Sequence, residues 1–347
     1  MKSLIILLLY IVVRSVSGQL NDHQDPTHKD IYSQSKIHVK QDGRHQPEYY
    51  GYEPTCPDAD DIAPCVSTYD SWYNATDLEC SAVESEEQLK QIFKADFPFK
   101  NFHQFNLFSN NNIKVLEAGV FNGISFEIIN IYATDLEVVE LHALDSCYET
   151  ATEIDLYYNN IQYFPFDELS LFPKLRNVYI STNSLSVIQA DAFYGLTALE
   201  GLDISYNNAD IVGTFQDLPN LQRIYLDSNN ITTTIPAQFI KTGSSHLSFI
   251  GLGHNNIVSV EPGAFDIVDS LVINMQDNSL STLDEATWRP YLEAGGTLSA
   301  VLNPLVCGCD IAWLFAEDQL LEQVNEYTTC SDGERLQDLV PSIFDNC

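Results

Sequence analysis

Apolar positions in the stretch 175–196, LRNVYISTNSLSVIQADAFYGL, first alternate and then spread around a single asparagine. Val178 and Ile180 lie two apart, so an extended segment turns both to one side and presents Asn177, Tyr179 and Ser181 on the other. Leu175, Leu185, Ile188, Phe193 and Leu196 complete the apolar side. Asn183 stands where the strand ends, and its amide brings a donor and an acceptor to backbone groups that a tight coil leaves unpaired. One such coil cannot enclose a core by itself, so the same spacing has to recur.

It recurs at Asn110, Thr134, Asn159, Asn183, Asn207, Asn229, Asn255, Asn278 and Asn303, at intervals of 22 to 26 residues. Two apolar strand residues precede each mark: Phe105 and Leu107, Ile129 and Ile131, Ile154 and Leu156, Leu202 and Ile204, Ile224 and Leu226, Ile250 and Leu252, Ile273 and Met275. Leu298 and Ala300 give a weaker last pair, and Thr134 is the one substituted rung. A repeat of this period predicts an α/β leucine-rich-repeat solenoid, a curved horseshoe of about nine coils with a parallel sheet on its concave face.

The ends of such a stack need sealing. CPDADDIAPCVSTYDSWYNATDLEC, from Cys56 to Cys80, precedes the first coil, and Leu89, Ile92 and Phe93 follow at helical spacing, so 56–101 is expected to form a disulfide-bonded N-terminal cap. Residues 102–302 hold the repeats. NPLVCGCDIAWL, from Asn303 to Leu314, replaces the next coil with a C-x-C and a helix carrying Ile311, Trp313 and Leu314, which predicts a C-terminal cap over 303–347. Its expected pairs are Cys307 with Cys330 and Cys309 with Cys347, disulfides rather than zinc ligands in a secreted chain.

The first 18 residues, MKSLIILLLYIVVRSVSG, read as a cleaved secretory signal, since the apolar run is short for a bilayer and Arg14 interrupts it. Residues 19–55 are polar, carry His23, His28, His38 and His45 without the paired spacing of a metal site, and are expected to be a disordered tail. No later segment is apolar enough to span a membrane, and no hydrophobic tail follows Cys347, so the expected product is soluble and extracellular. Asn74-Ala75-Thr76 and Asn230-Ile231-Thr232 are glycosylation triplets expected on the surface.

The net charge is −33, carried entirely between Cys56 and Cys347 by 43 acidic and 10 basic residues. Such a field argues against nucleic acid or an anionic membrane as partner. The side of the strands away from the core is expected to be rich in aromatics, with Phe108, Tyr132, Tyr157, Tyr158, Tyr179, Tyr206, Tyr225 and Phe249 on it or at its rim. Interleaved are Glu153, Asp155, Asp203 and Asp227, with Arg223 and His254. Rigid aromatic area beside carboxylates is the composition of a surface that binds a protein or peptide partner. No metalloprotease, nucleophile-elbow or nucleotide-loop motif is present, and Gly251-Leu252-Gly253 lacks the third glycine such a loop needs, so the chain reads as non-catalytic and without a cofactor. Asp58, Asp60 and Asp61 lack the glycine and distal glutamate of a calcium loop and read as a solvated turn.

CPDADDIAPC, SEEQL, DFPF, AGVFNG, FPFDEL, WRPYLEAG and NPLVCGCDIAWL together resemble secreted arthropod leucine-rich-repeat proteins of the kind that includes the non-catalytic subunit of Oplophorus-luciferin 2-monooxygenase. The likeness extends over nearly all of the sequence after the tail. It implies an accessory or stabilising role beside a separate catalytic subunit, with no catalytic residues to carry over. The family's first cap has a C-x-C after its proline, whereas Cys65 here is followed by Val66 and Ser67. Pairing of Cys65 with Cys80 is still expected, which leaves Cys56 and Cys147 to bridge, stay reduced or link two chains.

Overall fold

The computed structural model describes residues 56–71, 74–345 and 347, all within the unit that begins at Glu53. The leader and tail expected over 1–18 and 19–55 lie outside these residues. Two strands open the main sheet, β1 (Val66–Asp70) and β2 (Ala75–Glu79), and they pair antiparallel. Every later strand of the main sheet is parallel to β2: β3 (Asn101–Phe108), β4 (Ser125–Tyr132), β5 (Glu153–Asp155), β6 (Asn177–Tyr179), β7 (Gly201–Asp203), β8 (Arg223–Tyr225), β9 (Phe249–Gly251), β10 (Val272–Asn274) and β11 (Thr297–Ser299). Among the described residues these eleven strands form one sheet in chain order, the topology of a leucine-rich-repeat solenoid.

The register is uniform. Leu78, Phe105, Ile129, Ile154, Val178, Leu202, Ile224, Ile250, Ile273 and Leu298 face one another along the stack as an inward row, each at most 1% exposed. Two residues later, Leu107, Ile131, Leu156, Ile180, Ile204, Leu226, Leu252, Met275 and Ala300 are fully buried. The period-2 alternation of a strand thus sets which side chains are inside and which are left on the concave face.

The ladder residues bind the coils to each other. Asn183 Nδ2 donates to the Leu156 carbonyl of the preceding coil (2.8 Å) and to Ile180 of its own (3.2 Å), while its Oδ1 accepts the Ile161 amide (2.9 Å). Asn207, Asn229, Asn255, Asn278 and Asn303 repeat the pattern. Thr134 adjusts: its hydroxyl donates to Asn159 Oδ1 (2.6 Å) and accepts from the Leu136 amide (3.1 Å), so the rung is kept with a shorter side chain. The residue before each of the nine ladder positions has a left-handed backbone, from φ 51° at Ser109 to 58° at Leu302, and none is glycine. A conformation that costs L-residues roughly 1–2 kcal/mol is held by the fold at every coil.

At the N-terminal end, α1 (Ala59–Ile62) is capped by Asp58, and α2 (Glu86–Ile92) by Ser85, whose hydroxyl accepts the Gln88 amide (3.2 Å). Phe93, Phe105, Phe121 and Phe126 pack ring against ring beneath these elements, with centroids 5.0–6.2 Å apart. Cys65 is bonded to Cys80 here. At the other end, α3 (Glu285–Glu293) buries Trp288, Tyr291 and Leu292, and a 3₁₀ turn over Cys309–Phe315 buries Ile311, Trp313 and Leu314. The Trp313 indole donates to the Leu283 carbonyl (3.0 Å). Cys307 is bonded to Cys330 and Cys309 to Cys347. Cys56 and Cys147 form no disulfide among the described residues. Cys147 is fully buried, which pushes its thiol up to about 12 and makes a link to a second chain sterically closed.

Candidate functional site

The parallel register arranges the outward side chains of the sheet in three rows that cross the strands. The first runs Glu153, Asn177, Gly201, Arg223, Phe249 and Val272. In the second stand Glu79, Asn106, Asn130, Asp155, Tyr179, Asp203, Tyr225, Gly251 and Asn274. The third begins with Phe108 paired to Tyr132 and continues two residues after the second row with Tyr157, Ser181, Ser205, Asp227 and Gly253. Tyr158, Tyr206 and His254 are left-handed residues just before the ladder, so they form the rim, where all three are exposed.

Every sequence-predicted partner-binding residue falls in these rows or on the rim. Two of them differ in accessibility from a simple outward strand: Asp203 and Tyr225 are only 6% and 7% exposed. Each points to the concave side, but large neighbours in the same row and in the rows beside it close over it. Phe249 packs on Tyr225 with centroids 5.0 Å apart, and Asp203 Oδ1 accepts from the Ser205 amide (3.0 Å) and hydroxyl (2.6 Å).

Three rings of the third row stack on one another on consecutive coils. Phe108 and Tyr132 are 5.5 Å apart at an interplanar angle of 13°, and Tyr132 and Tyr157 are 5.4 Å apart at 25°. Tyr158, 41% exposed, continues the aromatic surface onto the rim 6.4 Å from Tyr157. Beside this ladder in the second row, Asn130 Nδ2 donates to Asn106 Oδ1 (2.9 Å), an amide pair that sequence reading did not single out.

The carboxylates sit low between the rings. Burial pushes Asp155 up to about 7, aided by the charges of Glu153 and Asp203, although the Tyr157 amide donates to it at 3.0 Å. Burial also raises Asp227, to about 6, with Asp203 adding to the shift and the Gly253 amide opposing it from 2.8 Å. Glu153 is raised by burial against the opposing amide of Asn177 (3.0 Å). Gly251 and Gly253 have a role that their spacing alone does not reveal. A side chain at either would collide with the Asp227 carboxylate, which lies over both residues and also receives Asn274 Nδ2 at 3.3 Å.

On the rim, His254 Nδ1 lies 2.8 Å from Asp277 Oδ2 beside a polar depression of about 370 Å³ lined by Asn208, Ser228 and Asn256. No group of three or more His, Cys, Asp or Glu side chains disposed to hold a metal occurs among the described residues. Of the glycosylation triplets, Asn74 is exposed and accepts from Tyr69 Oη (2.7 Å), while Asn230 is half-buried with its amide on Asp210 (2.7 Å).

Comparison with known proteins agrees with this architecture. The leucine rich repeat family profile matches residues 173–231. Over 316 residues, 83% of this chain and 87% of the relative, the sequence is 30% identical to the Oplophorus-luciferin 2-monooxygenase non-catalytic subunit of Oplophorus gracilirostris. The chain belongs to that subunit's family of leucine-rich-repeat proteins. Within this family the matched relative is by its own name non-catalytic. Lumican of Gallus gallus is 32% identical over 113 residues, 31% of this chain and 32% of that protein. A solved complex of TLR13 with ssRNA13 is similar in fold, with a TM-score of 0.53 and 25% identity over 65% of this chain and 31% of that one. A further fold match, a complex of Latrophilin 3, Unc5D and FLRT2, has a TM-score of 0.51 at 19% identity, covering 70% of this chain and 82% of that one. No described helix is long and apolar enough to cross a membrane.

Proposed function

We propose that this family member is a secreted, non-catalytic protein that binds a protein or peptide partner through its acidic, aromatic concave face. The observation that carries the reading is the placement of Phe108, Tyr132, Tyr157, Tyr179, Tyr225 and Phe249 beside Glu153, Asp155, Asp203 and Asp227 in rows that cross consecutive strands. Aromatic anchors provide contact area at small entropic cost, and the carboxylates select a basic partner. Tyr206 and Arg223 border the same surface. The net charge of −33 disfavours single-stranded RNA, the ligand named for the TLR13 complex, because a polyanion would be repelled. Residues 1–18 serve in this reading as a cleaved leader and 19–55 as a polar tail, and the disulfides fit an oxidising compartment.

A second reading is favoured by the named relative: the chain is the accessory or stabilising subunit of a secreted oxidase. The two readings differ in the occupant.

The test is affinity capture from native extracellular fluid with wild-type chain and with a Tyr157→Ala, Tyr179→Ala, Tyr225→Ala variant. Captured partner is expected with the wild type and absent with the variant at unchanged far-UV circular dichroism. Equal capture by both removes the concave face from the function. A companion oxidase co-eluting with native chain in size exclusion selects the accessory reading, and elution as a lone monomer rejects it.

A further inference from the structure

The aromatic ladder and the carboxylates beyond it are spaced for an extended ligand, and the spacing narrows the partner class. Sheet strands repeat about every 4.8 Å, so Phe108 and Tyr157, two coils apart, span roughly 9.6 Å, and Tyr157 to the coil of Asp203 is the same interval again. Polyproline II advances about 3.1 Å per residue and closes a turn in roughly 9.3 Å. One turn therefore covers the ring ladder, and the next arrives over Asp203, with Asp227 one coil further and within reach of a long basic side chain.

We propose that the concave face binds a polyproline II segment of a partner protein that carries a basic residue one turn beyond two prolines, Pro-x-x-Pro-x-x-Arg or its reverse. The proposal rests on the partner-binding reading above and deepens it. The prolines lie on Phe108, Tyr132 and Tyr157, whose near-parallel rings form a strip one side chain wide. Such a strip is too narrow for the apolar face of a helix, which covers about 100° of its circumference. Strand addition is equally unsuited, because it needs a sheet edge and these residues stand on a sheet face. A polyproline II backbone has no internal hydrogen bonds, so it can lie along the strip with its carbonyls left to water and to donors of the site. The arginine reaches Asp227, half-buried and fixed by the Gly253 amide, one coil beyond the covered Asp203. Charge decides the sign of the flanking residue: this end of the face is a set of carboxylates, which attracts a guanidinium and repels an acidic flank.

The experiment is fluorescence polarisation of the full chain with dye-labelled peptides containing Pro-Ala-Ala-Pro-Ala-Ala-Arg and the reversed order. At least one orientation is expected to bind saturably. Replacing both prolines by alanine, or the arginine by glutamate, is expected to weaken that binding by about tenfold or more. On the protein side, Tyr132→Ala is expected to abolish the preference for proline, and Asp227→Asn the preference for arginine over glutamate. The peptide series does not depend on how either variant folds. Absence of binding in both orientations, equal binding of proline-free peptides, or displacement by a neutral oligosaccharide such as cellohexaose overturns the proposal. Loss of native partner in the triple tyrosine variant combined with no peptide binding removes only the proline reading, whereas retained capture removes the concave-face reading as well.

Discussion

Replacing Ile180 or Leu226 by alanine removes methyl groups from positions that are fully buried between adjacent coils. Each change is expected to cost about 2–5 kcal/mol in chemical denaturation, while Tyr179→Ala on the half-open face costs far less. Equal losses would contradict the alternation of sides along the strand. The carboxylates give a second residue-level expectation. Asp155 and Asp227 ionise near 7 and 6 in the folded chain instead of at the ordinary 3.8, so folding disfavours their charged forms. Their protonated state favours the fold, and that contribution is complete below about pH 4, the ordinary carboxylate range, and is lost as pH rises through 6 to 7. Asp155→Asn and Asp227→Asn are therefore expected to raise the melting temperature at pH 8 and to change it little at pH 4. A larger gain at pH 4 than at pH 8 would reverse the assigned direction.

At the scale of elements, the C-terminal cap is held by two disulfides that close segments of 23 and 38 residues, while the repeats are held by the ladder and the inward rows. Removing the second bridge by Cys309→Ser with Cys347→Ser is expected to cost about 3 kcal/mol. Hydrogen exchange should then accelerate in 303–347 and leave the strands from β4 to β8 protected; acceleration throughout would make the cap a requirement for the whole stack. Much of this arrangement was legible in the residues themselves. Eight asparagines and one threonine at a nearly constant interval located the coils, and the alternation before each located the strands. The left-handed row was not legible, because residues as different as Ala133, Tyr206 and Leu302 occupy it and none is glycine. The covering of Asp203 and Tyr225 and the space that Gly251 and Gly253 leave for Asp227 also escaped sequence reading. Each depends on how side chains about a coil apart lean on one another, and a single strand's pattern holds no record of that.

Across the whole molecule, the sheet keeps one direction from β2 (Ala75–Glu79) to β11 (Thr297–Ser299), so residues far apart in the sequence stand on a single face. That continuity makes the face one surface rather than a set of isolated exposed rings. Asn183 has a further consequence. Its amide finishes the hydrogen bonding of the coil before it, just as Asn207 finishes that of the coil to which Asn183 belongs. A duplication that copies a whole coil inserts a unit whose bonds are met on both sides, and the protein can lengthen during evolution in such steps. Half a coil would leave a row of carbonyls without its ladder amide, so viable relatives should differ in length by multiples of the repeat rather than by arbitrary insertions in the strands.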